Sequence, residues 1–305
     1  MDIDPRLGLL SYSSLLLLNG CPKKYQLKKL SSQLKPDIKP DLMQEVTFCF
    51  GHIIGEAIQR YFAGCSLDDN LYQAYASWYV DINERNDKQK KSLEEALFAI
   101  QKLYYTDWQD KYELVHFNNR PAIELSFSID FTGGFKYRGY VDIVLRDRNT
   151  GEIIICEDKT TSRTPAAATY KNSSQATGYS VILDQIVPDL SSYKLIYLIY
   201  QSVDRGWIKY EFAKSLHERA LWLQQTWLDI ETIKLYELNE CWPARGQHCL
   251  SYYRECEYFG ICHLSPELIA KPLAEDIPKE PEYDFYFTFD ELIDTQMRII
   301  ERDED

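Results

Sequence analysis

The sequence predicts an α/β protein: a mixed central sheet flanked by helices, a helical region before it and a cysteine cluster after it. Three observations carry that expectation. Two apolar, largely β-branched runs, YRGYVDIVL and EIIICEDKTT, flank Asp147-Arg148-Asn149-Thr150-Gly151, which has the composition of a hairpin loop. A strand, strand, strand, helix, strand order runs through the middle of the chain. Longer patterns with helical spacing fill the first third and the stretch after the last strand.

Taken in order, residues 11–30 and 46–63 read as helices. Two more follow at about 69–85 and 90–113, separated by a charged break at Asn86-Asp87-Lys88. Strands are expected near 122–131, 136–147 and 152–159, and a helix from Gln175 to about Ile186. Tyr193–Tyr200 and Trp207–Phe212 read as strands, and about Ala213–Leu238 as a helix returning toward the cysteines. These elements divide the chain into an N-terminal helical region (1–115), a core with a C-terminal helix and cysteines (116–264) and an acidic tail (265–305). With 305 residues, 45% of them hydrophobic, the chain has ample material for a core.

The central hairpin carries the chemistry. Side chains alternate across a strand, so Asp142 lies on the face opposite Val141, Ile143 and Leu145. Glu157 and Lys159, two apart, share a face of the second strand. The hairpin therefore brings together an aspartate, a glutamate and a lysine, the equipment for metal-assisted phosphodiester hydrolysis. Mg²⁺ or Mn²⁺ takes hard oxygen ligands, here Asp142, Glu157 and the backbone carbonyl of Asp158. Lys159 is placed to orient the attacking water or to neutralise the phosphate in the transition state. Past the lysine, Thr160 and Thr161 offer hydrogen bonds to phosphate.

Downstream, Gln175 and Tyr179 are four apart and so share a helix face. Strand, glutamate-x-lysine, then a Gln-x-x-x-Tyr helix resembles the RecB-like branch of the PD-(D/E)XK nuclease superfamily, over roughly residues 11–263. The resemblance extends to AddB-like and CRISPR-adaptation nucleases and to phage-type members. It implies a restriction-endonuclease-like core, with Asp142 as the first metal aspartate and Glu157 and Lys159 as the acid-x-lysine pair. Gln175 and Tyr179 become the accompanying motif, which lines the strand path and positions phosphate or the lysine. The implied activity is that of a metal-dependent deoxyribonuclease, an exonuclease or end-processing enzyme in DNA recombination, repair or replication. One family element is altered. The usual helix reads G-x-x-x-H, and aligned on Gly51 the histidine position holds Gly55. Glu56 from the next position, or His52 from one turn earlier, is then the expected replacement ligand, unless no side chain fills that corner. A catalytically inactive DNA-end-binding or assembly subunit of the same fold is the alternative that Gly55 supports.

The eight cysteines give a second signal. No secretory segment argues for an oxidising compartment, so a disulfide framework is not expected. Cys249, Cys256 and Cys262 cluster near the end of the core, and Cys21 stands near the start in Cys21-Pro22-Lys23-Lys24. Four soft thiolates suit zinc or an iron–sulfur cluster. The arrangement is similar to the 4Fe–4S staple of AddB-like and CRISPR-adaptation nucleases, with a longer gap between Cys249 and Cys256 than that family uses. Cys241 is an alternative fourth ligand, and His248 and His263 would permit a mixed Cys/His zinc site. Cys49, Cys65 and Cys156 sit in apolar contexts and read as buried free thiols.

A net charge of −13 argues against a generally basic nucleic-acid surface. Residues 265–305, however, hold 13 acidic and 4 basic side chains, leaving only −4 for the rest. Lys23, Lys24, Lys28, Lys29, Lys35 and Lys39 offer phosphate contacts, and some of the 23 tyrosines offer stacking surfaces for unpaired bases. The tail reads as a linker followed by a docking segment, Phe285-Tyr286-Phe287-Thr288-Phe289, which covers part of the protein itself. The expected partner is DNA with single- or double-stranded ends. Unwinding would need a separate helicase or recombination partner, because no Walker A sequence is present. A cytoplasmic setting, in a bacterium or a phage-infected cell, is expected, with no membrane association.

Overall fold

The computed structural model of the chain describes residues 3–30, 42–80, 91–187, 192–251, 254–264 and 282–295. Lys35, Lys39, the break at Asn86-Asp87-Lys88 and tail residues 265–281 and 296–305 lie outside the described residues. The chain forms two compact units. Unit 1 comprises Met1–Lys39, Ser126–Gly139 and Ala220–Asp305; unit 2 comprises Pro40–Leu125 and Tyr140–Arg219.

The first segment contains β1 (Leu9–Leu10), α1 (Tyr12–Gly20) and α2 (Pro22–Leu30). The single helix expected over 11–30 is thus two. Ser11 caps α1 in a reciprocal capping box with Ser14. Cys21 then turns extended, at φ −150° and ψ 100°, and Pro22 opens α2. Proline has no N–H to give and disfavours helical backbone in the residue before it, so the run of leucines stops at Cys21.

In unit 2, α3 (Leu42–Phe62) precedes α4 (Leu67–Ser77) and α5 (Leu93–Leu103), capped by Ser66 and Ser92. The expected helix to residue 113 ends ten residues early, and a single turn, α6 (Trp108–Lys111), leads into β2 (Tyr112–Leu114). A small hairpin follows, β3 (His116–Phe117) and β4 (Arg120–Pro121). Its turn residues Asn118 and Asn119 have φ +50° and +63°, the left-handed pair that tight hairpins require and that asparagine tolerates best among side-chain residues.

Next come β5 (Ile123–Phe131), β6 (Phe135–Asp147) and β7 (Ile153–Thr161), then α7 (Ala167–Lys171), α8 (Ser174–Ile186), β8 (Ser192–Gln201) and β9 (Gly206–Ser215). Within unit 2 the sheet is mixed: β6 pairs antiparallel with β2 and β7, β7 parallel with β8, and β8 antiparallel with β9. The β6–β7 turn is held by Asp147, whose Oδ1 accepts the N–H groups of Asn149 and Thr150 at 2.8 and 3.0 Å, and by Gly151 at φ +74°. One face of this sheet, with Ile143, Leu145, Ile154, Cys156, Ile196, Leu198 and Tyr200, forms a core with α3, α4 and α5. The alternate residues Val144, Ile155, Leu195, Tyr197 and Ile199 are buried too, and α8 packs on β7. The central mixed sheet is therefore flanked by helices, as expected.

α9 (Leu216–Leu238) leads into unit 1, where β10 (Leu250–Ser251) pairs with β11 (Arg254–Glu255). β12 (Phe285–Thr288) runs parallel to β5, from Phe285 beside Phe127 to Thr288 beside Asp130, so this part of the tail covers the chain's own strand. Asp284 fixes it by accepting from Ser126 N and Oγ at 3.1 and 3.2 Å. Among the described residues, no helix is long and apolar enough to cross a membrane.

Candidate active site

The β6–β7 pairing ends at Ile143↔Cys156, and Asp142 and Glu157 are the next residue on each strand beyond that last pair. Glu157 has no solvent exposure, and Lys159 Nζ donates to its Oε1. The carboxyl of Asp142 lies within hydrogen-bonding reach of those of both Glu157 and Asp158. Burial, and then the charges of Glu157 and Asp158, push Asp142 well above the usual carboxylate range. Burial raises Glu157 and Asp158 as well, against the opposing pull of Lys159. Burial works against the charge on Lys159, but Glu157 and Asp142 outweigh it and raise the ammonium's pKa. Three acids crowded out of water are stable as anions only beside compensating positive charge, and the single ammonium of Lys159 is not enough for all three.

Gln175 and Tyr179 share a face of α8, where Gln175 Nε2 donates to Tyr179 Oη at 2.8 Å and Tyr179 is buried. Glu56 stands on α3 with its two oxygens divided: Oε1 is 2.8 Å from His52 Nε2 and Oε2 accepts from Arg60 at 2.6 Å. Thr161 Oγ1 is used locally, donating to Arg163 O. Thr160 Oγ1 instead accepts from Lys91 Nζ at 3.3 Å.

Sequence reasoning missed four neighbours. Lys91, whose ammonium sits 5.7 Å from the centre of the Phe50 ring, reaches Thr160 from just before α5. Burial lowers its pKa. Glu124, held at φ +49°, accepts from Gln59 of α3 at 2.7 Å, and burial first, with Asp158 adding to it, raises its carboxyl. Tyr170 packs on Tyr197 with ring centres 4.9 Å apart, close enough to Lys159 to feel its charge. The fourth is the side chain of Asp158, which turns against Gly55. No motif marks Lys91, Glu124 or Tyr170, because each arrives from an element distant in sequence; for Asp158 a third acid next to Glu157 was the available signal.

The family model described as the PD-(D/E)XK nuclease superfamily matches residues 9–263, which contain the whole of this site. The chain belongs to the PD-(D/E)XK nuclease superfamily. No curated protein sequence matches it. Among solved structures, it is similar to a "putative exonuclease" from Eubacterium rectale, at 13% identity and a TM-score of 0.47, covering 80% of this chain and 86% of that one. A second, SSO0001, is 14% identical with a TM-score of 0.34, covering 84% of this chain and 86% of the other.

PD-(D/E)XK nucleases generally use Mg²⁺ or Mn²⁺, and the residues present suit such a cation. The donors are hard carboxylate oxygens, and Glu157 Oε2 is buried and takes no hydrogen bond. Among the described residues, no group of three or more His, Cys, Asp or Glu side chains is arranged to hold a metal ion.

In unit 1 of this nuclease, Cys21, Cys249, Cys256 and Cys262 line one pocket together with Lys23, Lys24 and His248. All eight cysteines are free thiols. Burial, then the neighbouring Cys249, Cys256 and Cys21, raise the Cys262 thiol. The Cys21-Pro22 break between α1 and α2 is what presents Cys21 there. Lys24 pairs with Glu257 at 3.6 Å, and Lys29 turns inward to donate to Leu9 O. Burial lowers Lys29 to about 8.

Proposed function

We propose that the protein is a metal-dependent deoxyribonuclease, an exonuclease or end-processing enzyme, acting through the carboxyl cluster of unit 2. The observation that carries this reading is the convergence of Asp142 and Glu157 in the sheet, with Glu157 bonded to Lys159. Asp142, Glu157 and the backbone carbonyl of Asp158 would hold Mg²⁺ or Mn²⁺. A bound ion of this kind supplies an activated water and neutralises charge developing on phosphate. Glu157 holds the lysine ammonium in place, and its other oxygen remains free of hydrogen bonds. Lys159 keeps its proton, so it acts as a fixed positive charge facing the scissile phosphate and its attacking water. Gln175 fixes the Tyr179 hydroxyl on the adjoining helix, and the Lys91–Thr160 pair is a candidate contact for a neighbouring phosphate. In unit 1 the four-thiol pocket would take a 4Fe–4S cluster, with zinc as the alternative.

The test is degradation of end-labelled single- and double-stranded DNA by protein prepared without oxygen, with Mg²⁺ or Mn²⁺. Wild type should cleave, and Lys159→Ala should be about 10²–10³-fold slower. A folded, fully metallated wild type that binds DNA ends without cleaving them would favour the non-catalytic end-binding reading, with Gly55 as the cause. Iron and acid-labile sulfide should be found in the anaerobic sample; a colourless protein carrying zinc would replace the cluster with a zinc site.

A further inference from the structure

Gly55 faces the active-site strand from the middle of α3. A Cβ placed there would stand 3.1 Å from Asp158 Oδ2 and 3.4 Å from Oδ1. That is tighter than ordinary contact. The carboxylate of Asp158 therefore occupies the space directly in front of Gly55, the position at which the resemblance expects a histidine ligand. The two side chains that could replace such a ligand from α3 are engaged with each other: Glu56 binds His52 through Oε1 and Arg60 through Oε2. Meanwhile Asp158 shares close contact with Asp142, and Asp142 with Glu157. A glycine in mid-helix costs roughly 1 kcal/mol relative to alanine, and here its lack of a Cβ is what admits the neighbouring carboxylate.

We propose that the side-chain carboxylate of Asp158, seated against Gly55, is a third oxygen ligand of the divalent cation held by Asp142 and Glu157. The middle residue of the acid-x-lysine motif thus contributes its side chain as well as its carbonyl, and Gly55 is the space that lets it do so. A carboxylate in place of a neutral imidazole makes the donor set wholly oxygen and adds one negative charge. Such a set suits Mg²⁺ and Mn²⁺ and gives up the nitrogen donor that favours zinc. This inference rests on the metal-dependent reading of the site, and its test separates the two.

The experiment is titration of metal-free, full-length protein with Mn²⁺, following the electron paramagnetic resonance signal of the free ion, with melting curves to check folding. The variants are Asp142→Ala, Asp158→Asn, Gly55→Ala, Asp158→Ala and the double variant Gly55→His with Asp158→Ala. Asp158→Asn should weaken Mn²⁺ binding at least about tenfold. Gly55→Ala should weaken it less than Asp158→Asn does, because its methyl makes the carboxylate give way by a few tenths of an ångström. The double variant should bind more tightly than Asp158→Ala alone, since histidine then fills the vacated corner. If Asp158→Asn fails to fold, the comparison of Asp158→Ala with the Gly55→His, Asp158→Ala double variant decides the matter by the same readout. Loss of binding in Asp142→Ala, with Asp158→Asn and Gly55→Ala both within twofold of wild type, overturns the role of Asp158 and leaves the metal site standing. No binding by folded wild type overturns both.

Discussion

At the scale of single residues, the site is a concentration of like charge that the fold tolerates at a cost. Asp142 has a folded-state pKa raised above its ordinary value, by burial first and then by Glu157 and Asp158. A group raised in this way contributes stability at low pH, and that contribution is lost as pH rises through the folded value. Metal-free protein should therefore lose stability from mildly acidic toward neutral pH, as Asp142 is forced to ionise beside two other acids. Asp142→Asn removes that charge. We expect a higher melting temperature for metal-free Asp142→Asn than for wild type near neutral pH, a flatter dependence on pH, and cleavage reduced by more than about a hundredfold. A variant that melts at or below wild type across this range would show that the carboxyl cluster is not strained. Asp142, Glu157 and Lys159 were legible in the sequence because strand alternation is local: parity alone puts them on one face. Lys91, Glu124 and Tyr170 were not, since their approach depends on how α5, β5 and α7 pack, which no short-range pattern records.

At the scale of elements, the same division holds. The order of three strands, a helix and a strand was readable from periodicity and from the loop at Asp147–Gly151. The breaks were harder to read. Pro22 marks the start of α2, but four leucines in succession ahead of it mimic an uninterrupted helix, and the consequence, an extended Cys21, is visible only in the fold. The junction of α8 with the start of α9 was invisible in sequence, because it depends on an ion pair 35 positions apart. Arg219 Nη1 donates to Asp184 Oδ2 at 2.5 Å, and both side chains are almost wholly excluded from solvent. Removing one member leaves the other's charge buried without its counterpart, and such losses are roughly 3–5 kcal/mol. Arg219→Met should accordingly lower the denaturant midpoint by an amount in that range. Replacing both, as in Arg219→Met with Asp184→Leu, should recover much of the loss, because a well-packed apolar pair is often as stable as a buried ion pair. Equal destabilisation by the single and double variants would mean that packing around the pair, and not its charge, sets the cost.

At the scale of the molecule, chain connectivity gives the proposed cluster in the four-thiol pocket of unit 1 a structural role. That unit is assembled from three separate stretches, and Cys21 comes from the first while Cys249, Cys256 and Cys262 come from the last. The aromatic contacts nearby are modest: Trp242 stacks on Tyr25 with ring centres 6.0 Å apart and meets Tyr236 at 5.4 Å. A bond network through the four thiols would close a loop of more than two hundred residues. By the chain-entropy estimate for a covalent cross-link of that length, the constraint is worth about 5 kcal/mol. Unit 2 is built from only two stretches, Pro40–Leu125 and Tyr140–Arg219, and has its own core between the sheet and α3, α4 and α5. Cys262→Ser in anaerobically prepared protein should therefore speed amide hydrogen exchange in α1, α2 and residues 241–264, while the β7–β8 ladder that carries Glu157 keeps its protection. On the proposed reading, which puts the chemistry in unit 2, cleavage of short single-stranded DNA should fall less than about tenfold, against the hundredfold or greater loss expected for Lys159→Ala. Uniform acceleration of exchange through both units would show that the thiol pocket stabilises the whole chain as one cooperative block. Unchanged exchange everywhere would remove the clamp role and leave the four cysteines as ordinary thiols.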